Sequence, residues 1–373
     1  MSTAHWAPVL VLSLAACGSG ASVEAAGSPP GDGGSNWALP GSEHTPIGWS
    51  GSGSGGASAS ESADGGEDEG SVAGPDGAVA PKSPAPSMRA YHWVQDPSGS
   101  SALYAFDGIS WLELSSPAAS MPSGNLGDVT YVGELRGQGM HWVKSATGTA
   151  LFGFDGTSWT ELSSDAPIGI LGSESYVGEI EGKAYHWIAD PSSGATQLFS
   201  FDGRRWSELA ISTPAGNLAH GSYIGVLGGK AYHWIHSGSS NTLYAFDGYT
   251  WSTVTTNTPA GNVGDGSYVG VIGQKAYHLV HDALGGTQTL YAFDGAAWTI
   301  VRGDAPVGKL GNDSYVGVLS GVAFHWVAHV NGLGHTLYAF DGMTWRAVSA
   351  NTPSGHVGGF LSQSAAGSYV ATF

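Results

Sequence analysis

The stretch GSYIGVLGGKAYHWIHSGSSNTLYAFDGYTWSTV, residues 221–254, decides the fold. It divides into four short pieces rich in Val, Ile, Tyr, Phe, Trp and Thr: SYIGVLGG (222–229), KAYHWIH (230–236), NTLYAFDG (241–248) and TWSTV (250–254). Each has the length of a strand, and Gly or Asn punctuates the junctions, where a chain reversal needs a residue that tolerates unusual backbone angles. No helical period competes with this pattern. The unit therefore reads as a four-stranded antiparallel meander.

The same unit recurs along the chain. Aligned on the histidine of its second strand, the copies fall at His92, His141, His186, His233, His278 and His325, with spacings of 49, 45, 47, 45 and 47 residues. The motif FDGxxW closes every copy, ending at Trp111, Trp159, Trp206, Trp251, Trp298 and Trp345. Four strands per unit at this period is the signature of propeller blades. The first copy begins at residue 89 as RAYHW without a preceding SYVG strand, and the chain finishes in an orphan GSYVATF (367–373). The last strand is expected to complete the first blade, which closes the ring and removes exposed sheet edges. The expected fold is all-β: a six-bladed β-propeller of four-stranded blades over residues 88–373, closed by the C-terminal strand.

The order AYHW, YAFDG and a following Trp resembles that of kelch-type propeller repeats across residues 89 to 373, with His-Trp where kelch repeats carry paired glycines. The resemblance implies that the SYVG strand is innermost and the histidine strand next outward. Six-bladed fucose-binding lectins have a similar repeat length, but their sugar sites use an Arg and Glu pair; no Arg recurs at one position here, so those sites do not transfer. Copper-radical oxidases with kelch-like propellers need a cysteine crosslinked to tyrosine, and the sole cysteine, Cys17, lies far outside the repeats.

If the histidine strand lies about 4.8 Å outside the innermost one, equivalent histidines stand roughly 10 Å or more apart. They cannot gather on one zinc ion, whose nitrogen ligands sit at about 2.0–2.1 Å. Strand alternation puts His with Ala and Ile on one face and Tyr with Trp on the other, and both faces pack on neighbouring blades. The six repeat histidines are thus read as structural, each buried and hydrogen-bonded, with the adjacent strand's turn as the expected partner. Asp107, Asp155, Asp202, Asp247, Asp294 and Asp341 precede the glycine of each FDG and are read as acceptors for turn amides.

Function is expected on the face that carries the variable second-to-third loops and the longer crossovers, because variable polar loops on a rigid scaffold are where binding sits. The residues that break the repeat there are His220, His236, His281, His329, His335, His356, Lys144, Asp190, Asp265, Asp282 and Asp313. His236 and His281 begin equivalent loops. The leading expectation is a non-catalytic binding module for a glycan or protein ligand; the alternatives are a metal-dependent hydrolase with rim histidines and a purely structural envelope or adhesion protein. No catalytic residue and no cofactor is assigned, and a bound metal ion is compatible with the rim histidines. Of 14 Trp, 11 occupy repeat positions and Trp6, Trp37 and Trp49 precede the repeats, so no spare Trp marks a sugar platform.

Before the repeats, residues 7–16 (APVLVLSLAA) form an apolar run too short to cross a bilayer, followed by Cys17. Residues 14–17, LAAC, resemble a bacterial lipobox, which implies a signal segment over 1–17, lipidation of Cys17 and an extracytoplasmic location, anchored to the bacterial envelope or secreted. Residues 18–87 are Gly, Ser, Ala and Pro with the acidic run ESADGGEDE (61–69), and read as a disordered linker. A single cysteine excludes disulfides within one chain. With 12 Lys plus Arg and a formal charge of −18, the chain lacks the cations that a nucleic-acid partner requires. Membrane contact is expected only through the lipid, and the propeller is expected to be monomeric.

Overall fold

The computed structural model describes residues 88–373 apart from 96–99, 115–121, 123–125, 127–129, 146–147, 164, 170, 172–174, 191, 217, 219, 238–239, 262, 282–287, 309, 331–333, 356 and 358–367. Cys17, the signal segment and the linker lie outside the described residues, as do Asp282 and His356.

Six four-stranded antiparallel sheets form the blades of a β-propeller. Blade 1 pairs the C-terminal strand Tyr369–Thr372 with Ala90–Gln95, then Ser101–Phe106 and Trp111–Glu113 outward. Blades 2 to 6 begin at the axis with Tyr131–Leu135, Tyr176–Ile180, Tyr223–Leu227, Tyr268–Ile272 and Tyr315–Leu319, and each continues outward in chain order. The C-terminal strand is held by backbone bonds from Arg89 N to Phe373 O (2.9 Å), Phe373 N to Arg89 O (3.0 Å) and Trp93 N to Ser368 O (2.7 Å). It is the one inner strand not joined to its blade by a tight turn, so closure there is noncovalent.

The third and fourth strands are fixed by the FDGxxW hairpin. In every copy the Asp carboxylate accepts the amides two and three residues on, as Asp294 does from Ala296 N (2.9 Å) and Ala297 N (2.8 Å). The following glycine takes φ between 85° and 94°, a region that costs other residues strain. The Phe before each Asp is almost wholly buried, and the motif's Trp packs over it with ring centroids 4.6–4.9 Å apart.

Neighbouring blades approach closely through a small-residue contact. A Cβ on the inner-strand Gly133 would meet the Cβ of Ala184, in the next blade's second strand, at 2.9 Å; Gly178 meets Ala231 at 2.9 Å, and Gly317 meets Ala90 at 3.0 Å. At the closure the two residues are exchanged. The inner strand there carries Ala371, and its neighbour in blade 2 is Gly139, where an added Cβ would lie 2.7 Å from that of Ala371. The swap keeps one methyl in the contact all the way round the ring.

The repeat histidines join blades as well as strands. In five inner strands the register shifts after the tyrosine, and in blade 1 it shifts between Tyr91 and His92. The residue beside each shift leaves its carbonyl outside the ladder. The His of the next blade takes that carbonyl: His186 Nε2 lies 2.8 Å from Val132 O, His233 2.8 Å from Val177 O, His278 2.9 Å from Ile224 O, His325 2.8 Å from Val269 O, His92 2.8 Å from Val316 O and His141 2.9 Å from Val370 O. A carbonyl only accepts, so Nε2 carries the proton and Nδ1 accepts from the hydroxyl of Ser or Thr just before the tyrosine of its own blade, as from Ser175 (2.8 Å) and Ser267 (2.9 Å). Each ring thus makes two bonds, one within its blade and one across to the blade before, rather than one to a turn. All six are fully buried, and desolvation lowers His92, His186, His278 and His325 to about 4, so they stay neutral.

Candidate functional site

Loop residues expected to bind are spread over several blades. His236 is the last residue but one of the second strand of blade 4, Lys230–Ser237, and His281 the last of the second strand of blade 5, Lys275–His281; both line one cleft of about 390 Å³ together with Gly221, Val263, Gly264, Gly266 and Ser267. Gly264 is required there because backbone presses on backbone, a Cβ on it lying 2.5 Å from Gly221 O, whereas Gly221 and Gly266 face open space. Both imidazoles are exposed, and Gln288 Nε2 lies 2.9 Å from His281 Nε2. The cleft lies within the roughly 300–1,000 Å³ range of small-ligand pockets.

Other candidates stay within their own blades. His329 and His335 flank the second-to-third loop of blade 6. His329 Nε2 is 2.8 Å from Thr336 Oγ1, and His335 stacks on Trp326 at 5.4 Å with planes 6° apart. Asp190 closes its own turn, accepting from Ser192 Oγ (2.7 Å), Ser192 N (2.8 Å) and Ser193 Oγ (2.9 Å); these bonds hold its carboxyl below the usual range. Asp313 is exposed in the short 3-10 turn Asn312–Ser314. His220 and Asp265 open the equivalent turns His220–Ser222 and Asp265–Ser267 beside the cleft. Among the described residues no three His, Cys, Asp or Glu side chains come together as a metal site.

A second constellation lies on the propeller axis. The first residues of the six inner strands, Tyr131, Tyr176, Tyr223, Tyr268, Tyr315 and Tyr369, form a closed aromatic ring. Their successive centroids are 5.5–5.8 Å apart, edge-on or tilted, the arrangement aromatic quadrupoles favour. Three residues further along, the equivalent positions are Glu134, Glu179, Val226, Val271, Val318 and Thr372. One side of the axis is therefore polar and acidic, and the other is aliphatic.

Each carboxylate reaches back to the preceding blade. Glu134 Oε1 accepts from Tyr369 Oη (2.5 Å) and from Thr372 N (2.6 Å) of blade 1. Glu179 Oε1 accepts from Tyr131 Oη (3.0 Å) and from the amide of Glu134 in blade 2. Burial pushes both carboxyls above the ordinary range, and for Glu179 the charge of Glu134 adds to it, while these donors oppose the rise. The signal for this pair was present in the sequence as YVGEL and YVGEI against YIGVL, YVGVI and YVGVL. It lies inside the inner strands, whereas departures from a repeat are expected in its variable loops.

No family model matches the chain, and no curated protein matches it. Among solved structures, it is similar to YCF48 from Cyanidioschyzon merolae, at 14% identity and a TM-score of 0.35, over 71% of this chain and 86% of that one. It is also similar to a puromycin-hydrolyzing peptidase of Mycobacterium tuberculosis, at 14% identity and a TM-score of 0.35, over 72% of this chain and 47% of that one, so it spans about half of the peptidase's length.

Proposed function

We propose that the protein is a binding module that captures a glycan or protein ligand on its loop face, in the cleft between blades 4 and 5. The observation that carries this reading is the joint presence of His236 and His281, both exposed, in one cleft also lined by Gly221, Gly264 and Gly266. Exposed imidazoles supply hydrogen bonds and flat faces, and close-packed glycine backbone lets a ligand approach main-chain donors and acceptors. A volume of about 390 Å³ suits one compact ligand group, such as a sugar residue or a protruding side chain, with the variable loops around it gripping the remainder. In the same proposal, lipidation at Cys17 holds the chain to the bacterial envelope and the linker presents the propeller outward.

The test is a glycan array probed with the full chain, run with and without EDTA, beside a pull-down from envelope extracts, each repeated with His236→Ala and His281→Ala. The expected result is specific binding that falls at least tenfold in both variants, whose melting curves match wild type because these side chains are exposed. Binding that is unchanged in the two variants refutes the assignment to this cleft.

A further inference from the structure

We propose that Glu134 and Glu179 form a proton-operated latch on the ring closure: the pair holds a proton at neutral pH, and its loss loosens the grip of the C-terminal strand on blade 2. The geometry is a chain of custody across three blades. Blade 1 donates Tyr369 Oη and Thr372 N to Glu134 of blade 2, and blade 2 donates Tyr131 Oη and the Glu134 amide to Glu179 of blade 3. These bonds all end on Oε1. A carboxylic acid keeps that acceptor while its other oxygen carries the proton, so protonation of either residue leaves them in place.

Ionisation of both is different. Glu179 binds the amide of Glu134 itself, so the two half-buried carboxyls belong to adjacent inner strands, where like charges resist joint ionisation. No inner strand supplies a countercharge. At the equivalent positions stand Val226, Val271, Val318 and Thr372, and the titratable groups facing the pair are the six ring tyrosines, whose phenols burial raises further above 10.0. From the turn after the blade 2 inner strand, Arg136 points away to Asp202 O at 3.0 Å. Glu134 turns its charge away from Glu179 only by releasing Tyr369 Oη and Thr372 N, and the strand that loses these bonds, Tyr369–Thr372, is held in its blade by noncovalent pairing alone. The three valines show that the fold is built without a carboxylate at this position, so the pair is not demanded by packing.

The test is hydrogen exchange at the Thr372 amide of the full chain, corrected for base catalysis, between pH 6 and pH 9. Wild type is expected to lose at least tenfold in protection across this range. Glu179→Gln, which retains the acceptor oxygen and cannot ionise, is expected to hold protection within twofold. Constant protection in wild type, or a parallel loss in Glu179→Gln, overturns the latch. Should the variant fold poorly, carbon NMR of glutamate side chains in wild type decides: a carboxyl titrating near neutrality supports the latch, and glutamates that all titrate near the ordinary 4.5 overturn it.

Discussion

Acidification is expected to unfold the propeller through its histidine clamps. His92, His186, His278 and His325 are neutral donors to carbonyls across blade junctions, and burial lowers each from 6.5 to about 4. A group whose folded value is depressed gives stability that is present above its unfolded value and lost as pH falls toward the folded one, here from 6.5 down to 4. Between pH 7 and pH 5 each imidazole forfeits about 2 kcal/mol, roughly 7 kcal/mol for the four. The axial glutamates act in the opposite sense. Raised from 4.5 to about 7 and about 8, they give stability that is complete below 4.5 and is lost as pH rises through neutrality. Over the same two pH units they offset part of the histidine loss. The net expectation is an optimum near neutrality and a progressive loss toward pH 4 as the imidazoles outweigh the two carboxyls, against the roughly 5–15 kcal/mol that holds a typical domain together. Urea unfolding at fixed pH, followed by tryptophan near-UV circular dichroism, measures the curve. In the double variant Glu134→Gln/Glu179→Gln the offset disappears, and the full fall of roughly 7 kcal/mol between pH 7 and 5 should emerge. A double variant equally stable at pH 6.5 and pH 4.5 would refute the clamp argument, because the slope reports protons taken up on unfolding whatever their path.

Two further outcomes test the closure. Gly139→Ala sets a methyl 2.7 Å from Ala371 Cβ and 3.1 Å from Val370 O, and is expected to cost about 1–3 kcal/mol in denaturant unfolding; adding Ala371→Gly restores the arrangement of the other junctions and should recover most of it, whereas additive effects would count against the contact. Removal of residues 367–373 strips blade 1 of its inner strand and the ring of Tyr369, leaving the edge of Ala90–Gln95 unpaired, so the truncated chain is expected to unfold or to associate on size-exclusion chromatography; a monomer with the wild-type melting curve would contradict noncovalent closure.

The blade and the count of six were legible because alternation and an Asp-Gly reversal recur in all six copies, and the closing role of GSYVATF because the first copy alone lacks its SYVG strand. The partner of His186 was not legible, because Val132 lies 54 residues away and its carbonyl is free only through a register shift that no residue pattern announces. The site was harder for a related reason. Loop residues differ between copies for want of constraint as much as for function, so the divergence of His220, His329 and Asp313 carried little information. The inner strand is the reverse case. There the tyrosine recurs in all six copies and the valine or isoleucine after it is buried in all six, so Glu134 and Glu179 depart from the repeat where even a half-buried carboxylate carries a desolvation cost. Three sister strands bear Val at that point, which makes the aliphatic choice available to the same fold. In a chain of internal copies, the informative departure is the one that sets aside a cheaper residue already in use next door, and by that measure the axis of this propeller outranks its rim.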